Sequence, residues 1–344
     1  MSLIETYIAE QPAVLAATTR DLPPRLALWH PASFDGIVLV GSGSSLNALA
    51  VAEPMMAQAG RGPVRLRGPM AFLRDLDAGT IGHALVVVLS QSGNSLTSID
   101  AAAAARRADL PTLVMTAHAD SPIARVGAPL ALLPIGAELV GPKTKGYTAS
   151  VAGLLALADR LGAKLPEPVD LAVAMHAGLV PARAAARVLA SGLADVDFIL
   201  VMGQGRHLGT ALEASLKIAE MAGVPTAAFD TEEALHGRLH GLTARSFGLL
   251  IAADSEERAT AERAAAVMAD LGTTVRLLNL TPVATPFDWR APAGLLPPPY
   301  DPLSAILPCQ YLGCALAEAR GCDPDAMRYP GLSGRLHIKA RDEP

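Results

Sequence analysis

Hydroxyl groups are crowded into one short segment of the chain. It reads Ser90, Gln91, Ser92, Gly93, Asn94 and Ser95. An apolar run precedes this segment and an alanine-rich stretch follows it, so the pattern predicts a strand, a loop and a helix that begins at the serines. The free N–H groups and the dipole at a helix N-terminus favour an anion, and hydroxyl groups add donors without lysine. Helix capping would account for one serine rather than three. We therefore predict a phosphate-binding loop.

A second loop, rich in glycine and serine, follows an apolar run near the start of the chain. It reads Gly41, Ser42, Gly43, Ser44 and Ser45. A dinucleotide-binding loop needs a third glycine, and an acidic residue after the next strand. The third glycine is missing, and the next predicted strand carries Arg65 and Arg67, which would suit a 2′-phosphate. The dinucleotide is therefore the weaker alternative. We favour the hypothesis that Ser44 and Ser45 add hydroxyl groups to the phosphate loop.

A carboxylate–lysine group occurs later in the chain on a predicted helix. Glu213, Lys217 and Glu220 have the i, i+4, i+7 spacing of one helix side. From the spacing alone we favour a surface ion-pair ladder, which contributes about 0.2–0.5 kcal/mol per pair. The alternative is that these groups serve in acid–base chemistry.

Two histidines follow two glutamates within a few residues. His236 and His240 are four positions apart and come after Glu232 and Glu233. Such a pair could hold a metal ion, but the glutamate of an HExxH motif is missing and no third ligand is evident. A carboxylate and an imidazole acting as acid and base fit the pattern as well. We predict no metal and no organic cofactor.

The elements that position these groups occur twice. Gly203 and Gly205 follow Gly41 and Gly43 by 162 positions, and a strand–loop–helix–strand pattern from residue 84 recurs from residue 247. This repeat predicts a duplicated α/β domain, each copy a parallel sheet covered by helices. In the second copy Asp254 stands where Ser92 stands in the first, so we expect it to cap a helix and repel phosphate. The predicted boundaries are a helical arm at 1–30, domains at 31–162 and 192–320, a connecting helix within 163–191 and a tail at 321–344.

Composition limits the possible partners. Apolar residues make up 51% of the chain and charged residues 18%, with a net charge of −5 and no basic block. A sizeable core is therefore expected, and binding to nucleic acid is not. The three cysteines show no CxxC pair, no apolar run is long enough to span a membrane, and the start does not resemble a signal peptide. We expect a soluble, cytoplasmic protein with free thiols.

Together these segments resemble the sugar isomerase (SIS) family, in its tandem branch. That branch includes the isomerase half of glucosamine-fructose-6-phosphate aminotransferase and stand-alone glucosamine-6-phosphate deaminases and deglycases. The resemblance implies a flavodoxin-like three-layer sandwich in each domain. The serine segment is similar to the family's S-Q-S-G-[ED]-[ST] loop, and the early loop to G-x-G-[ST]-S, which implies that Ser45 joins the serines of the loop around a phosphate. The segment ELVGPKTKGYT is similar to E-x-x-V-A-S-T-K-x-[FY]-T and implies that Glu138 and Lys145 contact the sugar. It departs from that pattern at Gly141-Pro142-Lys143.

The later motifs carry the roles that the resemblance implies for catalysis. ALEASLKIAE is similar to A-L-E-G-x-L-K-x-x-E, which implies that Lys217 and Glu220 line the active site and that Glu220 moves a proton between C1 and C2. A lysine ammonium there can stabilise an enolate oxygen. EALHG is similar to E-x-x-H-G, which includes Glu233, and implies that His236 opens the sugar ring in the neighbouring subunit's site, hence a homodimer. The family's tail lysine is matched only loosely, because Gly334 takes its place.

We therefore expect an enzyme that acts on an amino-hexose 6-phosphate. Since the sequence lacks a glutamine-hydrolysing domain and a Cys at position 2, we expect deamination of glucosamine 6-phosphate with isomerisation to fructose 6-phosphate. A fructosamine 6-phosphate deglycase is the alternative enzyme, and differences at Glu138, Lys143 and Tyr147 would separate the two. A non-catalytic sugar-phosphate sensor is the alternative outside enzymes. In the tail, Arg335 or Lys339 would substitute for the missing lysine.

Overall fold

The structure is a computed structural model that describes residues 1–167, 170–289 and 295–340. The pattern of contacts divides the chain into two compact units. The first-sheet unit contains, among the described residues, 13–139, 145–167 and 329–340. The second-sheet unit contains 1–12, 140–144, 170–289 and 295–328. The opening helix, α1 (Leu3–Ala27), contributes residues to both units.

The first-sheet unit is built on five parallel strands in the order β2-β1-β3-β4-β5. The strands are β1 (Gly36–Val40), β2 (Val64–Arg67), β3 (Ala84–Leu89), β4 (Thr112–Thr116) and β5 (Leu130–Leu132). Its helices are α2 (Ser44–Gln58), α3 (Pro69–Asp77), α4 (Leu96–Arg107) and α5 (Lys145–Leu161). Strands β1, β3 and β4 are completely buried, as expected for central strands of a parallel sheet with helices on both faces.

Alternation along the strands gives each face of this sheet its own helices. Val38 and Val86 pack in one cluster with Phe72 of α3 and Ala101 of α4. Met115 of β4 lies on the other face, where its Cε is 3.2 Å from the position that a Cβ on Gly153 of α5 would take. Because successive strand side chains point to opposite faces, one apolar strand supplies both cores. The unit therefore has three layers.

The second-sheet unit has four parallel strands in the order β7-β6-β8-β9. The strands are β6 (Phe198–Gly203), β7 (Thr226–Asp230), β8 (Ser246–Ala252) and β9 (Thr274–Asn279). The helices are α6 (Leu171–Ala190), α7 (Arg206–Ala222), α8 (Thr231–Leu235), α9 (Ser255–Asp270) and α10 (Asp301–Ala319). Helix α10 packs on both α7 and α6, and α9 covers the cluster that contains Leu200 and Leu250.

The duplication predicted from the sequence is confirmed at the level of geometry. Strands β3 and β8 begin 162 positions apart, as do β4 and β9. Gly43 and Gly205 take the same left-handed conformation before α2 and α7, with φ of 56° and 51°. Glycine is the residue that adopts this backbone without strain. The predicted class, two α/β domains each with a parallel sheet flanked by helices, is correct.

Helix α10 is followed by a tail that holds one short helix, α11 (Leu332–Arg335), while residues 341–344 lie outside the described part. The cysteines are free thiols, two of them buried. Among residues 1–167, 170–289 and 295–340, no helix is long and apolar enough to cross a membrane.

Candidate active site

The two serine-containing loops lie side by side at one edge of the first sheet. They follow β1 and β3, which are neighbours in the sheet, while the chain continues from β1 to one side and from β3 to the other. A Cβ on Gly41 would lie 3.3 Å from the carbonyl oxygen of Leu89, so the loops start in close contact. In open α/β sheets, ligands bind outside the carboxyl ends of the strands at such a switch point. The N-termini of α2 and α4 begin there, at Ser44 and Leu96.

The serine hydroxyl groups of these loops are largely not used for capping. Ser95 is the residue before α4, yet its side chain does not cap that helix and instead accepts a hydrogen bond from the Ser98 hydroxyl at 3.0 Å. Within the described residues, the hydroxyl groups of Ser44, Ser45 and Ser90 make no hydrogen bond to the protein. These hydroxyl groups and the helix N-termini are donors for an anion.

The loop conformation depends on Gly93 and Ser92. Gly93 has a φ of 70°, and a Cβ there would lie 2.2 Å from Oγ of Ser121. The Ser92 hydroxyl accepts the backbone N–H of Asn94 at 3.4 Å. A side chain at position 93 would therefore both strain the backbone and displace its neighbour.

Gln91 is fastened to the start of α5 through Glu138. The Gln91 amide donates to Oε2 of Glu138 at 2.9 Å. The same carboxylate accepts the backbone N–H groups of Lys145 at 3.0 Å and Gly146 at 3.2 Å. Glu138 thus satisfies free N–H groups at a helix N-terminus while it orients the glutamine of the serine loop. The Lys145 residue that follows is buried, with 4% of its surface exposed.

In the second-sheet unit, carboxylates stand in the loop that corresponds to the serine loop. Asp254 precedes α9, and its carboxylate accepts the N–H groups of Glu256 and Glu257, each at 2.9 Å. The Glu257 carboxylate in turn accepts the N–H of Ala253 at 2.8 Å. Carboxylates therefore occupy the N–H groups that an anion would need. The prediction that Asp254 caps a helix is confirmed.

Helix α7 carries a compact group of charges. Lys217 is completely buried, and its Nζ lies 3.6 Å from Oε1 of Glu213 and in hydrogen-bond contact with Oε2 of Glu220. Glu213 is also buried, whereas the Glu220 side chain is 22% exposed. The group is therefore not a surface ion-pair ladder. Glu220 is the member of this group that solvent and a ligand can reach, and Lys217 fixes the position of its carboxylate.

Two contacts hold α7 against α10. A Cβ on Gly313 would lie 2.7 Å from Sδ of Met221 and 3.3 Å from the carbonyl oxygen of Lys217, so the helices approach closely at the charged group. At the other end of α7, the Asp301 carboxylate accepts two hydrogen bonds at 2.7 Å from Arg206 and one at 2.9 Å from Nε2 of His207.

The protonation of Asp301 follows from these partners. Burial disfavours its charged form, but the hydrogen bonds and charges of His207 and Arg206 outweigh burial, so the pKa of Asp301 lies below its ordinary value. Nothing in the local sequence around Asp301 indicates this network, because its partners lie 94 and 95 positions earlier.

His236, the histidine for which the resemblance implies ring opening, lies on the surface of the second-sheet unit. Its Nε2 pairs with Oε1 of Glu232 at 3.1 Å, and the His236 side chain is 72% exposed. Glu233 is also exposed and pairs with Arg238 at 3.3 Å. The structure therefore brings His236 together with Glu232, and Glu220 together with Lys217. Among the residues described, no group of three or more His, Cys, Asp or Glu could hold a metal ion.

The tail reaches the serine loop, residues 90–95, in the first-sheet unit. Lys339 and Ser95 form an antiparallel bridge. Gly334 and Arg335 instead belong to α11, and Arg335 is exposed. From the sequence, Arg335 and Lys339 were alternative substitutes for the missing tail lysine. Of these two residues, Lys339 pairs with the serine loop through its backbone.

These observations define a class: two duplicated parallel α/β domains with a serine loop at the switch point of the first. No family model matches the chain. Its sequence is similar to the isomerizing glutamine–fructose-6-phosphate aminotransferase of Pyrococcus horikoshii, 24% identical over 320 residues, which cover 86% of this chain and 51% of that protein. The chain spans about half the length of the curated relatives it matches.

Solved structures share the fold. The C-terminal domain of glucosamine-fructose-6-phosphate aminotransferase from Francisella tularensis superposes with a TM-score of 0.81 at 17% identity, over 94% of this chain and 97% of that one. Glucosamine-6-phosphate deaminase from Thermotoga maritima gives 0.74 at 18% identity, over 95% and 97%. The resemblance to the tandem sugar isomerase family, and to the isomerase half of the aminotransferases, is thereby confirmed.

Proposed function

We propose that the protein is an enzyme of the sugar isomerase class that converts glucosamine 6-phosphate and water to fructose 6-phosphate and ammonia. The observation that carries this proposal is the pairing of Glu220 with Lys217. A partly exposed carboxylate held by a buried ammonium is suited to proton transfer, and a surface ladder would not be buried. The names of the relatives support an amino-sugar phosphate as the substrate.

Binding is assigned to the serine loops of the first-sheet unit. Hydroxyl groups of Ser44, Ser45, Ser90, Ser92 and Ser95, with the N-termini of α2 and α4, would hold the 6-phosphate. Gln91, Glu138 and Lys145 support the loop. In this unit Glu138 acts by orienting Gln91 and the start of α5.

The chemistry then needs one base and one stabilising cation. Ring opening breaks the bond between C1 and O5, moves the O1 proton to O5 and leaves an aldehyde at C1. Glu220 removes the proton from C2, and the positive charge of the buried Lys217, which contacts the Glu220 carboxylate, stabilises the negative charge that develops on O1 without contacting it. Glu220 returns the proton to C1 and a proton passes from the nitrogen to O1, which leaves a hydroxyl group at C1 and an imine at C2. One water molecule hydrolyses the imine to the ketone and ammonia. No oxidant or reductant is consumed.

Ring opening is assigned to His236, with Glu233 beside it, in a homodimer. Its side chain is 72% exposed and pairs with a carboxylate that is itself exposed. Such a histidine is available to a second copy of the chain, in agreement with the family resemblance.

The test is to incubate the purified protein with glucosamine 6-phosphate and to follow ammonia and fructose 6-phosphate together. Equal amounts of both products are expected. Glucosamine without the phosphate is the matched control and should give neither product. If a hexose 6-phosphate raises the melting temperature but no product forms, the deaminase assignment is wrong, and the deglycase or a sugar-phosphate sensor is the better description. If no hexose 6-phosphate binds, the phosphate-loop assignment itself fails.

One observation favours a second candidate, a fructosamine 6-phosphate deglycase. The segment 141–143 departs from the family pattern, and a Cβ on Gly141 would lie 2.5 Å from Cγ of Met327, so Met327 occupies the space of a side chain there. Lys143 donates to the carbonyl oxygen of Val140 at 2.9 Å. A different amine would be accommodated by such a change. Release of glucose 6-phosphate from a fructosamine 6-phosphate, without ammonia from glucosamine 6-phosphate, would establish this candidate.

A further inference from the structure

The tail and the phosphate loop are joined by two backbone hydrogen bonds. The N–H of Leu96 donates to the carbonyl oxygen of Ile338 at 3.1 Å, and the N–H of Ala340 donates to the carbonyl oxygen of Asn94 at 2.8 Å. These bonds flank the bridge between Ser95 and Lys339. The tail thereby fixes the backbone of a lysine against the last serine of the loop.

The pattern of these two backbone hydrogen bonds determines on which face of the strand pair the Lys339 side chain lies. In an antiparallel pair, residues flanked by bonds in this way form a non-hydrogen-bonded pair, whose side chains leave on the same face at a close approach. Lys339 therefore extends from the same face as the Ser95 hydroxyl.

The serine loop itself contains no charged residue. The segment 90–95 has serine, glutamine, glycine and asparagine but no lysine or arginine. A phosphomonoester carries nearly two negative charges at neutral pH, and a charge-assisted hydrogen bond is stronger than a neutral one. A lysine on the face of Ser95 supplies a point charge for such a group.

We propose that Lys339 binds the 6-phosphate beside Ser95 and selects doubly charged phosphate esters over sugars with a neutral or singly charged 6-substituent. This rests on the proposed function, since it assigns a further residue to the same phosphate site. The tail pairing is the device that presents the lysine. The family's tail lysine is absent at Gly334, and the proposal gives Lys339 a role in binding phosphate.

The experiment measures binding of fructose 6-phosphate, fructose 6-sulfate and fructose by calorimetry at two salt concentrations. Lys339→Met is compared with Lys339→Arg and with Arg335→Met, a control at an exposed basic residue of the same tail. We expect Lys339→Met to weaken binding of fructose 6-phosphate by about ten- to a hundredfold, in line with a hydrogen bond to a charged group. In this variant, the preference for fructose 6-phosphate over fructose 6-sulfate should fall, and so should the salt dependence of fructose 6-phosphate binding. Lys339→Arg should retain most of the affinity, and Arg335→Met should match the wild type.

A second variant tests the backbone pairing between the tail and the serine loop, and leaves the charge of Lys339 unchanged. Ala340→Pro removes the N–H that donates to Asn94, and should weaken fructose 6-phosphate binding as Lys339→Met does. The double variant should be no weaker than either single one. Equal affinity of wild type and Lys339→Met overturns the inference and leaves the proposed function standing. An equal loss in Lys339→Arg also overturns it, since the side chain would then act by packing. If the wild type binds no hexose 6-phosphate, both proposals fail.

Discussion

The side-chain amide of Gln91 donates to the carboxylate of Glu138 at 2.9 Å, and that carboxylate also receives two N–H groups at the start of α5. A Cβ on Gly146 would lie 1.9 Å from the Gln91 amide nitrogen, so the glycine leaves room for the glutamine. The position of the Gln91 side chain in the serine loop is thus set by a helix that follows a different strand. Glu138 acts on the loop through Gln91.

Glu138→Gln should therefore weaken ligand binding, although the side chain at position 138 does not contact the ligand. The amide that replaces the carboxylate has two donors, so at least one of its three partners loses its acceptor. We expect fructose 6-phosphate to bind about tenfold more weakly, and the unfolding free energy to fall by about 1–2 kcal/mol through the loss at the helix N-terminus. Calorimetry and urea unfolding measure the two effects.

Gln91→Ala and the double variant provide the control for this prediction. If Glu138 affects binding through Gln91, the double variant should bind no more weakly than Gln91→Ala alone, whereas the loss of stability should remain. Additive losses in affinity would show that Glu138 contacts the ligand directly.

Glu220→Gln should abolish turnover and leave binding intact. The amide keeps the shape of the side chain but cannot accept a proton, so we expect kcat to fall by about a hundred- to ten-thousandfold. Fructose 6-phosphate affinity measured by calorimetry should stay within a few-fold of the wild type. Glu256→Gln, an exposed glutamate on α9, is the matched control and should keep full activity. A Glu220→Gln enzyme with normal kcat would remove Glu220 from the mechanism.

His236 offers a test of the dimer. If His236 of one protomer serves the site of its partner, His236→Asn and Glu220→Gln proteins are each inactive, but a mixed dimer has one site with both groups intact. Unfolding and refolding an equal mixture should then restore about a quarter of the wild-type activity, since half of the dimers are mixed and each has one intact site. No recovery, with dimers seen by light scattering, would place His236 in its own protomer's site or outside catalysis.

Local patterns in the sequence predict some of these structural features but not others. The serine loop and the spacing of Lys217 and Glu220 are visible because each lies within one strand–loop–helix unit, and the repeat is visible because such units occur twice with similar patterns. The pairing of Lys339 with Ser95 and the network of Asp301 join residues far apart in the chain, and no periodicity records such contacts. Burial of Lys217 also needs α10, since helix spacing alone describes an exposed ladder equally well.

Asp301 should make the second-sheet unit sensitive to acid. Its folded-state pKa is lowered by His207 and Arg206, so its contribution to stability is complete above its unfolded pKa of about 3.9 and is lost as the pH falls through the lower folded value. Asp301→Asn removes a buried carboxylate and leaves Arg206 unpaired. We expect a loss of about 3–5 kcal/mol at neutral pH, as when one partner of a buried ion pair is removed.

Urea unfolding from pH 7 down to pH 3, followed for Asp301→Asn and wild type, measures this effect. The difference between their midpoints should be constant near neutrality and should shrink below about pH 4, because protonation of Asp301 in the wild type removes the same charge that the substitution removes. Asp120→Asn, at an exposed position of the first-sheet unit, is the control and should follow the wild type at every pH. A difference that stays the same down to pH 3 would mean that the shape of the Asp301 side chain stabilises α7, and that its charge does not.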